Sequence, residues 1–334
     1  MTDDTVEVED APDVPVLTFR RYRGDEELPR LVSVFEAVSA EDGLDRAVTV
    51  DRLKNEFDNL PRFDPREDVV LAEVEGRTVG YSQIYWFEEP DGTFAAGHRE
   101  RVLPEWRGRG IARALLAVNT VRAKMLAAAH ARGPARMGTV VAETEVHRMG
   151  LLEAAGYKME RTYLEMLRDL SEPVDVLPLP EGIEVRPAGP EDQRRVFDAT
   201  WDAFRGAYGF REMTEKDWKG FLNSPEFQPG LWFVGWDGDV VAGAVFCWID
   251  EEENAQYDRL WGYNDNVAVT KEYRRRGLAK ALISRSLLAL RDLGMTHTNL
   301  GVDAQNPAGA LHFYEAMGYK VYRRAYDLSR PLGP

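Results

Sequence analysis

A strand, a basic turn and a helix follow one another within the segment 266–289, and the turn has residue types that bind phosphate. The first backbone N–H groups of a helix have no internal partner and lie at the positive end of its dipole, so they can bind phosphate oxygens. A glycine leaves the backbone uncovered for a close approach, and guanidinium groups keep their charge at neutral pH. We therefore expect a diphosphate to bind at the turn formed by Arg274, Arg275, Arg276, Gly277, Leu278 and Ala279.

A second loop of the same kind, with the sequence RGRGIA, precedes an apolar helical pattern in the first half of the chain. Two arginines alternate with two glycines there, so this loop could also hold a phosphate through its backbone and its guanidinium groups. Its candidate phosphate-binding residues are Arg107, Gly108, Arg109, Gly110 and Ala112.

The elements around these two loops also occur twice, in the same order. Alternating apolar residues indicate strands and apolar residues at helical spacing indicate helices. Each copy then has the order strand, two helices, three strands, helix, strand, helix, strand. Such self-similarity predicts a tandem repeat of one α/β domain. Landmarks recur at separations of 162 to 167 residues: Leu17 and Ile183, Gly80 and Gly243, Arg107 and Arg274, and Tyr157 and Tyr319.

The loop and the element order together resemble the GNAT superfamily of N-acetyltransferases, whose pyrophosphate loop has the pattern Arg/Gln-x-x-Gly-x-Gly/Ala. Arg274, Gly277 and Ala279 fill this pattern, and the resemblance extends from about residue 17 to residue 330. It implies an α/β (α+β mixed sheet) fold with two tandem GNAT-like acyl-CoA N-acyltransferase domains. It also implies acetyl-CoA as co-substrate and direct transfer of the acetyl group to a primary amine of a small molecule or peptide.

Composition suggests where the two domains begin and end. Residues 1–15 are acidic and offer little to bury, so we expect a disordered acidic tail there. Residues 169–182 hold three prolines without periodicity, which is typical of a linker. The predicted domains are therefore 16–168, expected to be catalytically degenerate, and 183–330, expected to be catalytic.

The last stretch of the second half, LGVDAQNPAGALHFYEAMGYKVY, resembles the family's strand, Asn-x-x-Ala and tyrosine-bearing helix. In that family the asparagine hydrogen-bonds the pantetheine or phosphate region, and the tyrosine is the general acid for the departing thiolate. The resemblance implies these roles for Asn306 and Tyr314, and a donor beside the thiolate would ease collapse of the tetrahedral intermediate. From the residues alone, Asn306 is equally well an N-cap before Pro307, and Tyr314 a core aromatic.

The first half departs from this pattern. When the two EAxGY motifs are aligned, Tyr314 corresponds to Leu152 and Asn306 corresponds to Thr144. Leucine cannot donate a proton to a leaving group. The first domain is therefore expected either to bind acyl-CoA without turning it over or to be purely architectural.

The strand before the second-half loop should supply backbone donors. The resemblance implies that this strand splays from its neighbour and that the N–H groups of Val267, Ala268 and Val269 bind the pantetheine and polarise the thioester carbonyl. A backbone donor aimed at a developing oxyanion contributes about 10² to 10³ in rate. Asp265 shares strand parity with Val267 and Val269 and is the candidate general base for the amine. The alternative is that Asp265 belongs to a polar strand start exposed to water.

Acceptor specificity should come from the early helices of the second half. Aromatic side chains there could line a pocket for an apolar, aromatic or cationic acceptor. We expect no metal site, because His297 and His312 stand apart from other ligand residues at the usual spacings. The candidate pocket residues are Trp201, Phe204, Tyr208, Phe210 and Trp218.

The overall charge and composition exclude several classes of protein. A formal net charge of −15 over 334 residues argues against a nucleic-acid binder and suits an amine-bearing substrate better. The single cysteine, Cys247, excludes an internal disulfide framework and suits a reducing compartment. The sequence shows neither a signal pattern nor an apolar run of membrane length. We therefore expect a cytoplasmic protein without nucleic-acid or membrane partners, whose oligomeric state is open.

These observations favour an acetyl-CoA-dependent N-acetyltransferase. The tandem layout with a degenerate first half is similar to that of the mycothiol synthases, which acetylate the cysteinyl amine of a thiol precursor, and this is the narrower alternative. Outside enzymes, the alternative is a non-catalytic acyl-CoA-binding or sensor protein, against which Asn306 and Tyr314 argue. The sequence leaves the acceptor amine, the acyl chain length and the general base open.

Overall fold

The protein is described by a computed structural model that covers residues 4–306 and 309–333. Within them the chain forms two compact units, the first built from 4–160, 214–220 and 326–333, and the second from the remaining described residues. Each unit has a mixed β-sheet with helices on its faces. No helix of this part of the chain is long and apolar enough to cross a bilayer.

The order of helices and strands is the predicted repeat, with two short helices, α3 and α8, added. The elements of the first half are β1 Leu17–Arg21, α1 Leu28–Asp42, α2 Val50–Asn59, α3 Pro65–Asp68, β2 Val69–Val74, β3 Arg77–Glu88, β4 Phe94–Val102, α4 Ile111–His130, β5 Ala135–Ala142, α5 Val146–Ala154 and β6 Lys158–Asp169. The elements of the second half are β7 Glu184–Val185, α6 Gln193–Asp202, α7 Glu215–Leu222, β8 Trp232–Asp237, β9 Val240–Ile249, α8 Glu251–Gln256, β10 Trp261–Val269, α9 Leu278–Asp292, β11 His297–Asp303, α10 Ala310–Ala316 and β12 Lys320–Pro331.

The first unit is a sheet covered on both faces. Its strands lie in the order β1, β2, β3, β4, β5, followed by the end of β12. Val69 and Leu71 of β2 pack with α1 and α2, whereas Val70 and Ala72 pack with α4. Because successive side chains of a strand point to opposite faces, burial on both faces explains the uninterrupted apolar run VVLA.

The second unit repeats this arrangement, with its strands in the order β6, β11, β10, β9, β8 and β7. Leu282 and Leu287 of α9 pack with Ala242 and Cys247 of β9 on one face. The other face is covered by an aromatic cluster in which Trp232 and Phe246 stack with ring centroids 4.2 Å apart. Helix α6 contributes to this cluster through Phe197, which stacks on Phe221.

Two matched glycines show that the repeat extends to backbone detail. A Cβ atom built on Gly80 would lie 2.7 Å from the Arg101 carbonyl oxygen, and one built on Gly243 would lie 2.7 Å from the Ala268 carbonyl oxygen. Real Cβ atoms do not approach a carbonyl oxygen this closely, so each position requires glycine. Both glycines hold β3 or β9 against the strand that precedes a basic loop.

The terminal strands of the two halves are exchanged between the units. Strand β6 ends the first half, but from residue 161 it belongs to the second unit and pairs antiparallel with β11. Strand β12 ends the second half, but from Tyr326 it belongs to the first unit, where the Leu332 N–H donates to the Ala135 carbonyl at 2.9 Å. The compact units therefore differ from the predicted limits 16–168 and 183–330. Sequence similarity between two copies cannot tell which copy a terminal strand pairs with.

The N-terminal segment is ordered from residue 4, in contrast to the predicted disordered tail. The Val6 N–H donates to the Phe19 carbonyl at 2.8 Å, and the Arg21 N–H donates to the Asp4 carbonyl at 2.8 Å. Val6 and Val8 also pack against the apolar cluster beneath α4. The prediction rested on the acidic composition and overlooked two valines at strand spacing, Val6 and Val8. Their contacts hold the segment along the edge of β1.

Candidate active site

The sheet of the second unit splits beside the basic loop. Parallel strands β10 and β11 are paired only from Trp261 to Tyr263, opposite His297 to Asn299. Beyond Tyr263, β10 continues to Val269 with no further pairing to β11 among the described residues, so the two strands separate there. The splay that the resemblance implied for this strand is therefore confirmed.

Strand β10 also carries a bulge inside the split. Asp265 lies opposite Phe246 of β9, but the next paired residue, Ala268, lies opposite Ala244, so β10 has one extra residue. Asn266 takes a positive φ of 46° there, a conformation that asparagine adopts more readily than most residues. The matching strand of the first unit, β4, pairs with β3 without interruption from Phe94 to Val102.

The bulge corrects the predicted parity of Asp265. Cross-strand neighbours share a face, and the partners of Asp265 and Ala268 are two residues apart on β9, so these two residues lie on one face. Val267 and Val269 instead pack against the core that contains α9. The inference that Asp265 shares a face with both valines is wrong, because an extra residue reverses the alternation.

The basic loop leads into α9 without a side-chain cap. Gly277 is the N-cap residue with φ 86°, and a Cβ atom built on it would meet no heavy atom within 4 Å. The first N–H groups of α9 therefore have no side-chain cap, and the space beside Gly277 is free of heavy atoms, as a diphosphate site requires. Leu278 is buried in the core and Ala279 is half-buried, so these two residues offer the loop only their backbone.

The three arginines of the loop are exposed but differ in their contacts. Arg274 is held by the backbone, since its Nε donates to the Val269 carbonyl at 3.0 Å and its Nη2 to the Ala203 carbonyl at 2.7 Å. Arg276 lies over the Tyr273 ring at 5.2 Å, and Arg275 has a positive φ of 63°. Arg275 and Arg276 make no ion pair within the described residues, so both charges are available to an anion.

Tyr314 lies on α10, the helix that follows β11. It is buried against Tyr319, with ring centroids 5.8 Å apart, and it belongs to the same core as α9. Burial, and then the charge of Asp265, raise the pKa of the Tyr314 hydroxyl above its usual range. The hydroxyl is therefore protonated at neutral pH and able to act as an acid.

Asp265 is half-buried on the face of β10 that lies away from α9. Its Oδ2 accepts a hydrogen bond from Trp248 Nε1 at 2.7 Å. The Trp248 ring stacks on Tyr263 at 4.2 Å and 15°. This carboxylate is held in a defined orientation at the split, so the alternative of a water-exposed polar strand start does not describe it.

Asn306 lies in the turn after β11 and does not cap α10. Its N–H donates to the Asp303 carbonyl at 3.1 Å, and its own carbonyl accepts from the Gly309 N–H at 3.1 Å. The N-cap residue of α10 is Gly309. The N-cap alternative for Asn306 is therefore wrong, and Pro307, the proposed first helical residue, lies outside the described residues.

A polar group behind the cleft was missed by the sequence analysis. Asn264 Nδ2 donates to the Tyr319 hydroxyl at 2.8 Å, and its Oδ1 accepts from Cys247 Sγ at 2.9 Å. Just before the bulge, Asn264 thereby joins β10 to the turn between α10 and β12. Two asparagines in one strand, Asn264 and Asn266, are the available signal, since asparagine is depleted in regular strands.

The aromatic residues predicted to line an acceptor pocket have mixed environments. Phe210 is buried, and Trp201 lies 6.0 Å from it with its Nε1 bonded to the Arg211 carbonyl. Tyr208 lies beneath the Arg161 guanidinium at 4.5 Å. The aromatic pair Trp248 and Tyr263 instead lies beside Asp265.

An acidic residue accompanies this aromatic pair. The Tyr263 hydroxyl donates to Glu253, which also pairs with Arg259. Burial and the Glu253 carboxylate raise the pKa of Tyr263, so its hydroxyl stays neutral. A cavity of about 780 Å³, which includes Arg259 and Met295, lies at the opposite end of β10 from the basic loop and does not belong to the split.

The basic loop of the first unit makes contacts within the protein, and it also lines a cavity of about 390 Å³. Arg107 forms a two-point ion pair with Asp42 at 2.7 and 2.8 Å, and Arg109 lies over the Trp106 ring at 4.6 Å. A Cβ atom built on Gly110 would lie 3.0 Å from Pro12 of the N-terminal segment. The remaining loop residues of the prediction, Gly108 and Ala112, are exposed and half-buried. The two loops are thus alike in sequence but differ in the contacts that their arginines and glycines make.

Comparison with known proteins gives two matches to acetyltransferase families. Residues 194–319 match the acetyltransferase (GNAT) family, and residues 65–158 match the acetyltransferase (GNAT) domain. Mycothiol acetyltransferase of Geodermatophilus obscurus is 29% identical over 265 residues, which cover 78% of this chain and 81% of the relative. N-alpha-acetyltransferase 30 of Schizosaccharomyces pombe is 36% identical over 102 residues, which cover 30% of this chain and 63% of the relative.

Solved structures show the same fold over nearly the whole chain. The crystal structure of a GCN5-related N-acetyltransferase from Sphaerobacter thermophilus superimposes with a TM-score of 0.70. Its sequence is 20% identical, and the match covers 96% of this chain and 97% of that one. The predicted fold of two tandem domains with mixed sheets is therefore confirmed.

Proposed function

The chain belongs to the GNAT superfamily of N-acetyltransferases, and we propose that its transfer site lies in the second unit, at the split between β10 and β11. The protein is an acyltransferase that uses acetyl-CoA as co-substrate and an amine as acceptor. Two features of β10 support this placement. Its pairing with β11 ends at Tyr263, and it bulges at Asn266, shortly before the basic loop. The first unit has the loop without the bulge.

Each part of the split has a role in this proposal. The start of α9, with Gly277, Arg275 and Arg276, binds the diphosphate of the co-substrate. Bound there, the co-substrate supplies the acetyl group as an activated thioester. The backbone N–H groups of residues 267–269 bind the pantetheine and stabilise the oxyanion. Asp265 accepts the proton of the attacking amine, and Tyr314 donates a proton to the thiolate.

We further propose that the acceptor approaches from the face of β10 that carries Asp265. The stacked rings of Trp248 and Tyr263 provide a flat apolar wall, while Asp265 provides negative charge. Such a surface attracts an amine that is protonated in solution, through its charge and through the ring faces. A primary amine on a small molecule or at a peptide N-terminus fits this surface.

A narrower candidate is acetylation of a cysteinyl amine, as in the mycothiol synthases. It is favoured by the similarity to mycothiol acetyltransferase over 78% of this chain. The similarity to an N-alpha-acetyltransferase over 30% of the chain favours a peptide N-terminus instead. Both acceptors present a primary amine next to a carbonyl group.

The test combines a binding measurement with a transfer assay. Titration calorimetry of the full chain with acetyl-CoA should show one site per chain with micromolar affinity, about −8 kcal/mol. Transfer is then measured against spermidine, kanamycin, free amino acids, a set of peptides and a cysteinyl amine. No binding at tens of micromolar acetyl-CoA would contradict the site, and transfer to none of these amines would contradict the acceptor class.

A matched pair of variants tests Asp265 as the base. Asp265→Asn removes the proposed base while keeping the hydrogen bond from Trp248 available to the side-chain oxygen. We expect acetyl-CoA binding to persist and turnover to fall about 10²-fold or more. Asp303, half-buried on the neighbouring strand β11, provides the control variant Asp303→Asn. Equal losses of turnover in both variants would remove Asp265 from the reaction.

A further inference from the structure

The first arginine of the second-unit loop is held by backbone carbonyl groups. Arg274 Nε donates to the Val269 carbonyl at 3.0 Å, and its Nη2 donates to the Ala203 carbonyl at 2.7 Å. The rigid fork of guanidinium donors allows one side chain to reach both acceptors at once. Arg274 therefore connects three parts of the second unit: the basic loop, the end of β10 and the end of α6.

The Ala203 carbonyl is an acceptor for which helix α6 provides no partner. Ala203 is the C-cap residue of α6, and the last carbonyl groups of a helix have no intrahelical donor. These groups also form the negative end of the helix dipole, where a cation is stabilising. The contact from Arg274 therefore satisfies a backbone acceptor and complements the helix dipole.

The first unit has the same connection at the matching arginine. Arg107 Nε donates to the Val102 carbonyl at 3.4 Å, and its two Nη atoms donate to the Asp42 carboxylate at 2.7 and 2.8 Å. Val102 is the last residue of β4, and Asp42 is the last residue of α1. Both units thus use the first arginine of the loop to join a strand end to a helix end. The acceptor atoms at the helix end differ, so it is the joining of these two elements that the units share.

Helix α6 lies on the face of the sheet that carries Asp265. Its Phe197 stacks on Phe221, which in turn stacks on Phe246. Phe246 is the cross-strand neighbour of Asp265, and cross-strand neighbours share a face. The helix end that Arg274 holds is therefore on the side from which the acceptor amine is proposed to approach.

The chain that follows α6, residues 203–213, consists of turns and irregular backbone and is here called the acceptor segment. Trp201 Nε1 donates to the Arg211 carbonyl at 2.9 Å, which brings the end of the segment back to α6. The Phe210 ring is buried 6.0 Å from the Trp201 ring. Three of the aromatic residues expected to line an acceptor pocket belong to this segment, and its first residue is the one that Arg274 holds.

We propose that Arg274 is a positioning residue for the acceptor amine, which holds the acceptor segment at the split and leaves the diphosphate to Arg275 and Arg276. This inference rests on the proposed transfer site. Without the guanidinium fork, the start of the segment is free to move away from β10, so the amine binds less tightly. The diphosphate keeps its own contacts at the start of α9. Because Arg274 is exposed, its replacement leaves the apolar core intact.

Alanine variants of two arginines in the same loop separate these roles. In Arg274→Ala, KM for the amine should rise about tenfold through loss of charged hydrogen bonds, while Kd for acetyl-CoA should change less than about threefold. In Arg276→Ala, Kd for acetyl-CoA should rise and KM for the amine at saturating acetyl-CoA should not. Exposed Arg291→Ala is the control and should change neither value. The amine is the one that wild-type protein acetylates fastest among spermidine, kanamycin, amino acids and peptides.

Two outcomes of this comparison would overturn the proposal. The first is an unchanged KM for the amine in Arg274→Ala. The second is a Kd for acetyl-CoA that rises as much in Arg274→Ala as in Arg276→Ala, which would make Arg274 a phosphate ligand. An unchanged Kd in both variants would instead contradict the proposed diphosphate site.

A lysine variant distinguishes the fork from the charge. Arg274→Lys keeps the positive charge but lacks the planar fork that reaches both carbonyl groups. We expect it to have the raised KM of the alanine variant and the wild-type Kd for acetyl-CoA. Wild-type KM in Arg274→Lys would show that charge alone is sufficient and would overturn the proposal.

Hydrogen exchange tests the same contact without any substrate. In the unliganded full chain, amides of residues 203–213 should exchange about tenfold faster in Arg274→Ala than in the wild type, because local opening loses a restraint. Amides of α9 should exchange at the wild-type rate in both proteins. Equal exchange of residues 203–213 in the two proteins would overturn the proposal. This result does not depend on where acetyl-CoA binds, so it distinguishes failure of this inference from failure of the proposed transfer site.

Discussion

At the level of single residues, the candidate chemistry rests on two side chains from different elements. Tyr314 comes from α10 and Asp265 from β10, and the charge of Asp265 raises the pKa of the buried Tyr314 hydroxyl in addition to the effect of burial. An acid and a base with separate environments are what a transfer between an amine and a thioester needs. Leu152, which corresponds to Tyr314 in the first half, cannot serve as an acid.

Replacing Tyr314 tests its role as acid. Tyr314→Phe should lower kcat about 10²-fold, because general acid catalysis typically contributes 10² to 10⁴. The affinity for acetyl-CoA should change little, since the ring and its packing are kept. The measurement is kcat together with the Kd from calorimetry, with exposed Tyr322→Phe as the control. An unchanged kcat would remove Tyr314 from the reaction.

The two basic loops offer a matched pair of arginines. Arg276 and Arg109 each directly precede the glycine at a helix start, but Pro12 lies 3.0 Å from a Cβ atom built on Gly110, whereas no heavy atom lies within 4 Å of one built on Gly277. Arg276→Ala should raise the Kd for acetyl-CoA about tenfold, or ~1.4 kcal/mol, by removing a charged contact to phosphate. Arg109→Ala should leave this Kd unchanged. The reverse result would move the co-substrate to the first unit.

At the level of elements, the bulge in β10 is the feature that distinguishes the two sheets. It adds one residue at Asn266, frees the backbone from its regular pairing and turns Asp265 away from the face of Val267 and Val269. Bulges commonly redirect a side chain beside an active site. The other matched elements have the same order in both halves, so order alone does not decide which half is the candidate enzyme.

The conformation of Asn266 can be tested by a pair of substitutions. Asn266→Gly should keep the bulge and most of the activity, because glycine accepts a positive φ without strain. Asn266→Val should disrupt the bulge, because a β-branched residue is a clear outlier at φ 46°. We expect the valine variant to lose at least tenfold in kcat/KM, with an overall fold that is unchanged by circular dichroism. Equal activity in both variants would contradict a role for the bulge.

At the level of the whole molecule, each compact unit is completed by a strand from the other half of the chain. The end of β12 adds Leu328 and Tyr326 to the apolar core of the first unit, where Leu328 is 2% exposed. The start of β6 is in the first unit and the rest is in the second. Neither half of the chain, cut at the proline-rich segment, would contain all the strands of a unit.

This exchange predicts that the first half does not fold as an independent fragment. A fragment of residues 1–175 should be unfolded or aggregated, because β5 loses its neighbour β12 and the core of the first unit loses Leu328. Leu328→Ala in the full chain should lower the free energy of unfolding by about 2–5 kcal/mol through the cavity it creates. Denaturant unfolding provides the measurement, with exposed Leu293→Ala as the control. A stable, monomeric fragment 1–175 would contradict the exchange.

The sequence by itself determined the repeat, the order of the elements and the basic loops. Helix α4, Ile111–His130, carries apolar residues at helical spacing, among them Ile111, Leu115 and Val118. These features depend on local backbone preferences and on the alternation of apolar residues, both of which are present in short stretches of chain.

Only the tertiary structure decided which strands complete each unit and which residues contact the two basic loops. The ion pair of Arg107 with Asp42 joins residues 65 positions apart, and no local sequence pattern predicts it. The bulge at Asn266 depends on the register with β9, and the exchange of β6 and β12 depends on which copy each strand meets. These contacts arise between distant segments, where one extra residue or a different partner changes the outcome without changing any local propensity.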